Sequence, residues 1–152
     1  MFHTNTVKLL FLSKRARPDV QTAVAYLTMR VRAPVEDHHK KLSHVMKYLR
    51  GSIDKILTLE GDAMHLVKWW VDGSFAVHHD MKSHTGATMS LGKESVYSTS
   101  VRQKLNTKSS TEDELVGVDD VMPQVIWTRY FLEAQGYGVR ESKIYQDNQS
   151  AM

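Results

Sequence analysis

The chain has 152 residues, 41% of them hydrophobic, and a formal net charge of +3, enough apolar mass for one core, or for one core with a smaller helical unit attached. It has no cysteine, which excludes a disulfide framework and any thiolate metal site and fits an intracellular setting, cytoplasmic or nuclear. The apolar run near the start is too short to span a bilayer and no small-residue cleavage site follows it, so neither a membrane nor a secretion segment is expected.

Residues 6–14 suit a short helix or an apolar arm. Over 19–32, Val20, Ala23, Val24, Leu27 and Val31 recur at helical spacing behind the start signals Pro18 and Asp19. Residues 36–50 repeat that period through Leu42, Val45, Met46 and Leu49, with Glu36 and Asp37 in the first turn and Gly51 after the end. The short link between the two helices predicts an antiparallel pair.

From residue 55 the period changes to alternation. "KILTLEG" (55–61) and "HLVKWWVDGS" (65–74) read as strands, the second with Val67, Trp69 and Val71 on one face and Lys68, Trp70 and Asp72 on the other. "GATMSLG" and "SVYSTSV" form a hairpin across Gly92 and Lys93. Residues 110–135 are helical, and Pro123 predicts two helices rather than one. "SKIYQDN" is a last strand with Ile144 inward and Asp147 at its tip. The order is two or three helices, then β-β-β-α-β, and an ending at "DNQSAM" gives the look of a fragment.

Charge divides along the same line. Residues 1–62 hold eleven Lys and Arg against six Asp and Glu; residues 63–152 hold nine against eleven. Such a division suits a polyanion grip in one part and cation-binding carboxylates in the other.

Five carboxylates fall within the nine residues 112–120. Acids in a first helical turn need no function, since the helix dipole favours them by about 0.3–1 kcal/mol. However, Asp72, Glu114 and Asp147 each sit where an element starts or ends. If the first and fourth strands pair in parallel, these three converge into a set of hard oxygens suited to Mg²⁺ or Mn²⁺. Ser110 or Thr111 is expected to cap the helix, Ser110 with Asp113 resembling a weak capping box. The histidines show no metal-ligand spacing and read as surface residues. Lys40, Lys41, Lys104 and Lys108 are candidates for phosphate contact, exposed cationic surface being the plain alternative. The "VDD" at 118–120 continues a helical run instead of sitting in a hairpin turn, so no polymerase activity is expected. The two N-terminal helices also suggest a helix-turn-helix, but "HHKKLSHVMKYLR" lacks Asn, Gln or Arg near its start for base-edge contacts.

Four motifs in fixed order, "VDGS", "DMKSHTGATMSLG", "SSTEDEL" and "IYQDNQSA", resemble the ribonuclease H region of copia-type retrotransposon polyproteins. The upstream "KLLFLSKRARPDVQTAV" and "APVEDHHKKLSHVMKYLRGSID" are similar to the helical segment that follows the polymerase palm there, and the resemblance covers nearly the whole chain. It implies a thumb-like helical segment at 1–54 and a ribonuclease H-like domain at 55–152, a mixed α/β fold cut short at its C-terminus. It further implies Mg²⁺-dependent, two-metal hydrolysis of the RNA strand of an RNA–DNA hybrid. Asp72, Glu114 and Asp147 would then be the metal-binding and catalytic carboxylates, with Glu112 and Asp113 solvated neighbours. The palm and integrase of the same polyprotein would be partners. Departures from the family pattern ("GSFAVHHD" after Asp72 in place of an Asp-Trp pair, Pro123 in the helix, no fourth acid) carry the alternative of a catalytically dead remnant that at most binds nucleic acid.

Overall fold

The computed structural model describes residues 1–62 and 65–147, and the chain divides into two compact units, Met1–Leu57 and Thr58–Met152.

The first unit consists of α1 (Phe2–Arg15), a 3-10 turn at Pro18–Val20, α2 (Gln21–Thr28) and α3 (Glu36–Gly51). The expected short arm is a full helix, and the helix expected over 19–32 stops four residues early at Thr28. Phe2, Leu9, Val20, Val24, Leu27, Leu42 and Val45 form its core. The α3 stripe takes one residue per turn toward that core, which is why a helix with so many charges still packs. Its entry is a capping arrangement that the sequence does not advertise, with the Val35 N–H donating to His38 Nδ1 at 3.1 Å. A polar network closes the unit. Arg17 donates to both oxygens of Asp19, at 3.0 and 2.8 Å, and to the carbonyl of Ser52 at 3.0 Å, while the Tyr48 hydroxyl donates to Asp19 at 2.8 Å. These bonds tie the turn before α2 to the end of α3.

The second unit is a four-stranded sheet with one long helix against it. Its strands are β1 (Leu66–Ser74), β2 (His84–Ser90), β3 (Ser95–Arg102) and β4 (Glu141–Tyr145), in the order β3-β2-β1-β4. β1 to β3 form an antiparallel meander, and β4 returns parallel to β1 after α4 (Ser110–Ala134). This is the mixed β-β-β-α-β arrangement expected of a ribonuclease H-like fold. One face of the sheet, Val67, Trp69, Val71, Ala87 and Met89, packs with Val121, Val125 and Val139, and Trp69 is fully buried. On the other face, Trp70 and Tyr145 stack at 5.3 Å and stay 41% and 42% exposed.

Three expectations are corrected. "KILTLEG" forms no strand: Ile56 and Leu59 are exposed, and only Gly61 bridges to Gly92 in the β2–β3 turn. Alternation makes a strand only where a partner accepts it. At that bridge a Cβ on Gly92 would lie 1.7 Å from the Glu60 carbonyl oxygen, so no other residue fits. The expected break at Pro123 is absent, and α4 runs unbroken from Ser110 to Ala134. Pro123 and Asp119, whose carbonyl loses its amide partner, both lie on the exposed side, where water replaces the lost bond. Val121 and Val125 hold the helix on the sheet from either side of the proline. Of the last strand, Ile144 packs toward the core as expected, pairing ends at Tyr145, and Asn148 lies outside the described residues.

Two outcomes follow. Pro123→Ala should stabilise the second unit by about 1–3 kcal/mol, read as a rise in the denaturation midpoint monitored by tryptophan fluorescence, since all three tryptophans lie in that unit. In the first unit, Arg17 and then Tyr48 lower the Asp19 carboxyl from 3.8 to about 2. A depressed folded-state value means the stabilisation is complete above 3.8 and lost as pH falls through 2. Asp19 is 32% exposed, so screening limits the effect to about 1 kcal/mol. Asp19→Asn should therefore speed hydrogen exchange in α3 at neutral pH and converge with the parent protein toward pH 2.

Candidate metal centre

The parallel pairing of β1 and β4 fixes two of the three candidate acids. Trp70 stands opposite Tyr145. Two residues further along, Asp72 is still in β1, on the Trp70 face by the period of a strand, and Asp147 follows the end of β4 at Tyr145. The third comes from α4, whose buried positions Asp113, Glu114, Gly117, Val121, Val125 and Thr128 repeat every three or four residues. At Gly117 the helix passes close to the sheet, where a Cβ would sit in ordinary contact 3.6 Å from both Val71 and Thr85. Glu114, just past the first turn, is thereby held at the ends of β1 and β4. Each of Asp72, Glu114 and Asp147 offers a carboxylate oxygen within 4.8 Å of the others. Glu114 is buried; Asp72 and Asp147 face solvent.

The electrostatics are those of an uncompensated site. Loss of hydration raises the Asp72 carboxyl above the ordinary range, with the Asp147 and Asp113 charges adding to the effect and the Gly73 backbone N–H opposing it. Glu114 is raised for the same first reason and by Asp72 and Asp147, again against the Gly73 N–H, with Gln146 also opposing. Gln146 Nε2 donates to the carbonyl of Glu114 at 2.9 Å and to its Oε2 at 3.1 Å, tying the end of β4 to the helix. Among the described residues, no Lys, Arg or His forms an ion pair with any of the three acids. Three hard oxygens without a protein counter-charge fit a divalent cation of the Mg²⁺ or Mn²⁺ type.

The neighbouring residues differ from expectation. Ser109, rather than Ser110 or Thr111, caps α4: its Oγ accepts from the Glu112 N–H at 3.2 Å, while Glu112 Oε2 accepts from the Lys108 N–H at 2.7 Å. Glu112 thus adds a second bond at the helix start, to the residue before the cap rather than to the cap's own N–H as a capping box would. The S-x-x-E spacing 109–112 carries the cap signal, one residue before the Ser110–Asp113 pair. Asp113 is not solvated at all, being 1% exposed. The "VDD" carboxylates lie mid-helix, where Asp120 accepts weakly from Thr85 at 3.4 Å. His84 is half-buried rather than a surface residue, meeting His78 at 3.1 Å and Ser100 at 2.7 Å, and its desolvation lowers its pKa.

The candidate lysines divide between the units. Lys40 and Lys41 form i,i+4 ion pairs with Glu36 at 2.9 Å and Asp37 at 2.8 Å on α3. Lys104 and Lys108 lie exposed on the segment leading into α4. No helix among the described residues is long and apolar enough to cross a membrane.

No family model and no solved structure matches the chain. Among curated proteins, it is 28% identical over 145 residues, 95% of its length, to the retrovirus-related Pol polyprotein from transposon TNT 1-94 of Nicotiana tabacum. It is 29% and 28% identical over 137 residues to the corresponding polyproteins from transposons RE2 and RE1 of Arabidopsis thaliana. It spans only 9–11% of the length of these relatives. Over nearly all its length, then, the chain is related to one stretch of the retrovirus-related Pol polyproteins of copia-type retrotransposons.

Proposed function

We propose that the second unit is a ribonuclease H-type nuclease domain acting on the RNA strand of an RNA–DNA hybrid, and that the first is the thumb-like segment of the adjoining reverse transcriptase. The convergence of Asp72, Glu114 and Asp147 within 4.8 Å, from separate stretches of the chain and with no cationic partner among the described residues, carries this reading. The three would hold Mg²⁺ or Mn²⁺, and a cation so bound supplies an activated water and relief of charge on the leaving oxygen. The protein's own contribution is positional. β1 and the stretch just past β4 present two carboxylates, α4 brings the third, and the Gly73 N–H and Gln146 steady them. Lys104 and Lys108 are suited to nonspecific contact with phosphates, and recognition of the hybrid would rest on duplex shape and 2′-hydroxyls. Lys40 and Lys41, already paired on α3, contribute less charge. Sequence relatedness to Pol polyproteins supports this reading and makes the remaining polyprotein segments, palm and integrase, the expected partners.

The test is cleavage of a labelled RNA–DNA hybrid by the full chain in Mg²⁺. Asp72→Asn, Glu114→Gln and Asp147→Asn should each reduce the rate more than about 100-fold, since loss of a ligand oxygen exceeds the about 10–100-fold effect of disturbing a ligand's support. Retained cleavage in all three variants would reject the site. Hybrid binding without cleavage in the parent protein would instead identify a catalytically dead remnant.

The raised carboxyls give a second outcome. An acid whose folded-state pKa lies above its unfolded value destabilises the fold while ionised, so the metal-free protein should gain stability as pH falls through the raised values. Asp72→Asn should remove part of this penalty, a small part because Asp72 is exposed and screened by solvent, and raise the metal-free melting temperature slightly, while abolishing the further rise that MgCl₂ produces in the parent protein.

A further inference from the structure

Asp113 has both carboxylate oxygens buried without any hydrogen-bond partner. Its backbone is fully engaged: the N–H donates to the Ser109 carbonyl at 3.0 Å, and its carbonyl accepts from Gln103 Nε2 at 3.1 Å. Gln103 is itself buried and also donates to Thr85 Oγ1 at 3.0 Å, so the peptide is anchored from the β3 side. The carboxylate lies against β1, where a Cβ on Gly73 would come within 2.6 Å of Asp113 Oδ2. Gly73 is also the residue whose backbone N–H faces Asp72 and Glu114. One backbone residue therefore separates a dry, unpaired acid from the three converging carboxylates. A side chain required only for helix capping or packing would not be left with two bare oxygens there. Ser109 and Glu112 already cap the helix, and an apolar residue would fill the space without the desolvation cost.

We propose that Asp113 is a positioning residue for the cation site: its buried side chain, packed against Gly73, fixes the end of β1 beside Asp72 and Glu114 and so supports cation binding without ligating the ion itself. This rests on the metal-site reading above. Gly73 is the structural counterpart, because any side chain at that position displaces the acid.

The experiment is titration of the full chain with MgCl₂ by calorimetry, alongside melting in the absence of metal. Asp113→Ala should raise the Mg²⁺ dissociation constant about tenfold, and the nearly isosteric Asp113→Asn should restore most of that loss. Gly73→Ala should weaken binding on its own but add nothing in the Asp113→Ala background, as expected for two residues acting through one contact. Melting that falls in both Asp113 variants with Mg²⁺ affinity unchanged, or loss of the fold in both, would make Asp113 a purely structural residue and overturn the proposal. Asp72→Asn is the control that separates the two readings. If it too leaves Mg²⁺ affinity unchanged, the cation site itself fails, and this inference fails with it. If it abolishes binding while the Asp113 variants bind normally, only the role of Asp113 is lost.

Discussion

The in-register parallel pairing of β1 with β4 is the constraint on which the second unit depends. Parallel strands need a long crossover, here α4 with its flanking loops. The crossover sets the helix across the buried face of the sheet, with Val121 and Val125 against Trp69 and Val71. Once Trp70 is opposite Tyr145, Asp72 near the end of β1 and Asp147 just past the end of β4 come to the same end of the sheet, and a slip in register would carry them apart. The stack of Trp70 on Tyr145 at 5.3 Å secures that register on the open face, as the valines do on the closed one.

The same geometry is costly for stability. Two carboxyls raised by desolvation and mutual repulsion, and a third acid buried without a donor, all lie at one end of the sheet. Leaving a buried polar group unsatisfied costs about 1–3 kcal/mol, comparable to what one buried valine or leucine contributes. The surrounding apolar core, with Trp69 fully enclosed, is what holds the acids together. A protein selected for stability alone would replace them, and their persistence at a single point is the physical argument for a cation.

The sheet was legible in the sequence because alternation over 65–74 and 84–101 meets adjacent strands that pair with it, and the hairpin is marked by Gly92. The convergence of Asp72, Glu114 and Asp147 was legible because strand tips and helix starts are locatable from turn and cap signals. Asp113 was not. In a linear reading an acid in a first helical turn is favoured by the dipole and assumed wet, and only the close approach of Gly73, forty residues away in sequence, shows that it faces β1. Pro123 misled for a related reason: its cost depends on which side of the helix faces water, and the period of α4 does not declare that until the sheet is in place. "KILTLEG" had the alternation of a strand, yet only its last residues, Glu60 and Gly61, meet a pairing neighbour.

α4 unites these cases. A helix broken at Pro123 would let its first turns pivot independently of Val125 and Thr128, and the position of Glu114 would then depend on Gly117 and Val121 without them. Because the proline sits on the water side, the buried stripe continues through it, and Gly117, Val121 and Val125 fix the helix along its length. The Ser109 cap and the Glu112 bond to the Lys108 N–H then stiffen the end that carries Asp113 and Glu114. Placement of an acid to within hydrogen-bond tolerance at one end of the sheet therefore depends on valines two and three turns away, and a core substitution at Val125 acts on the carboxylate site without touching it.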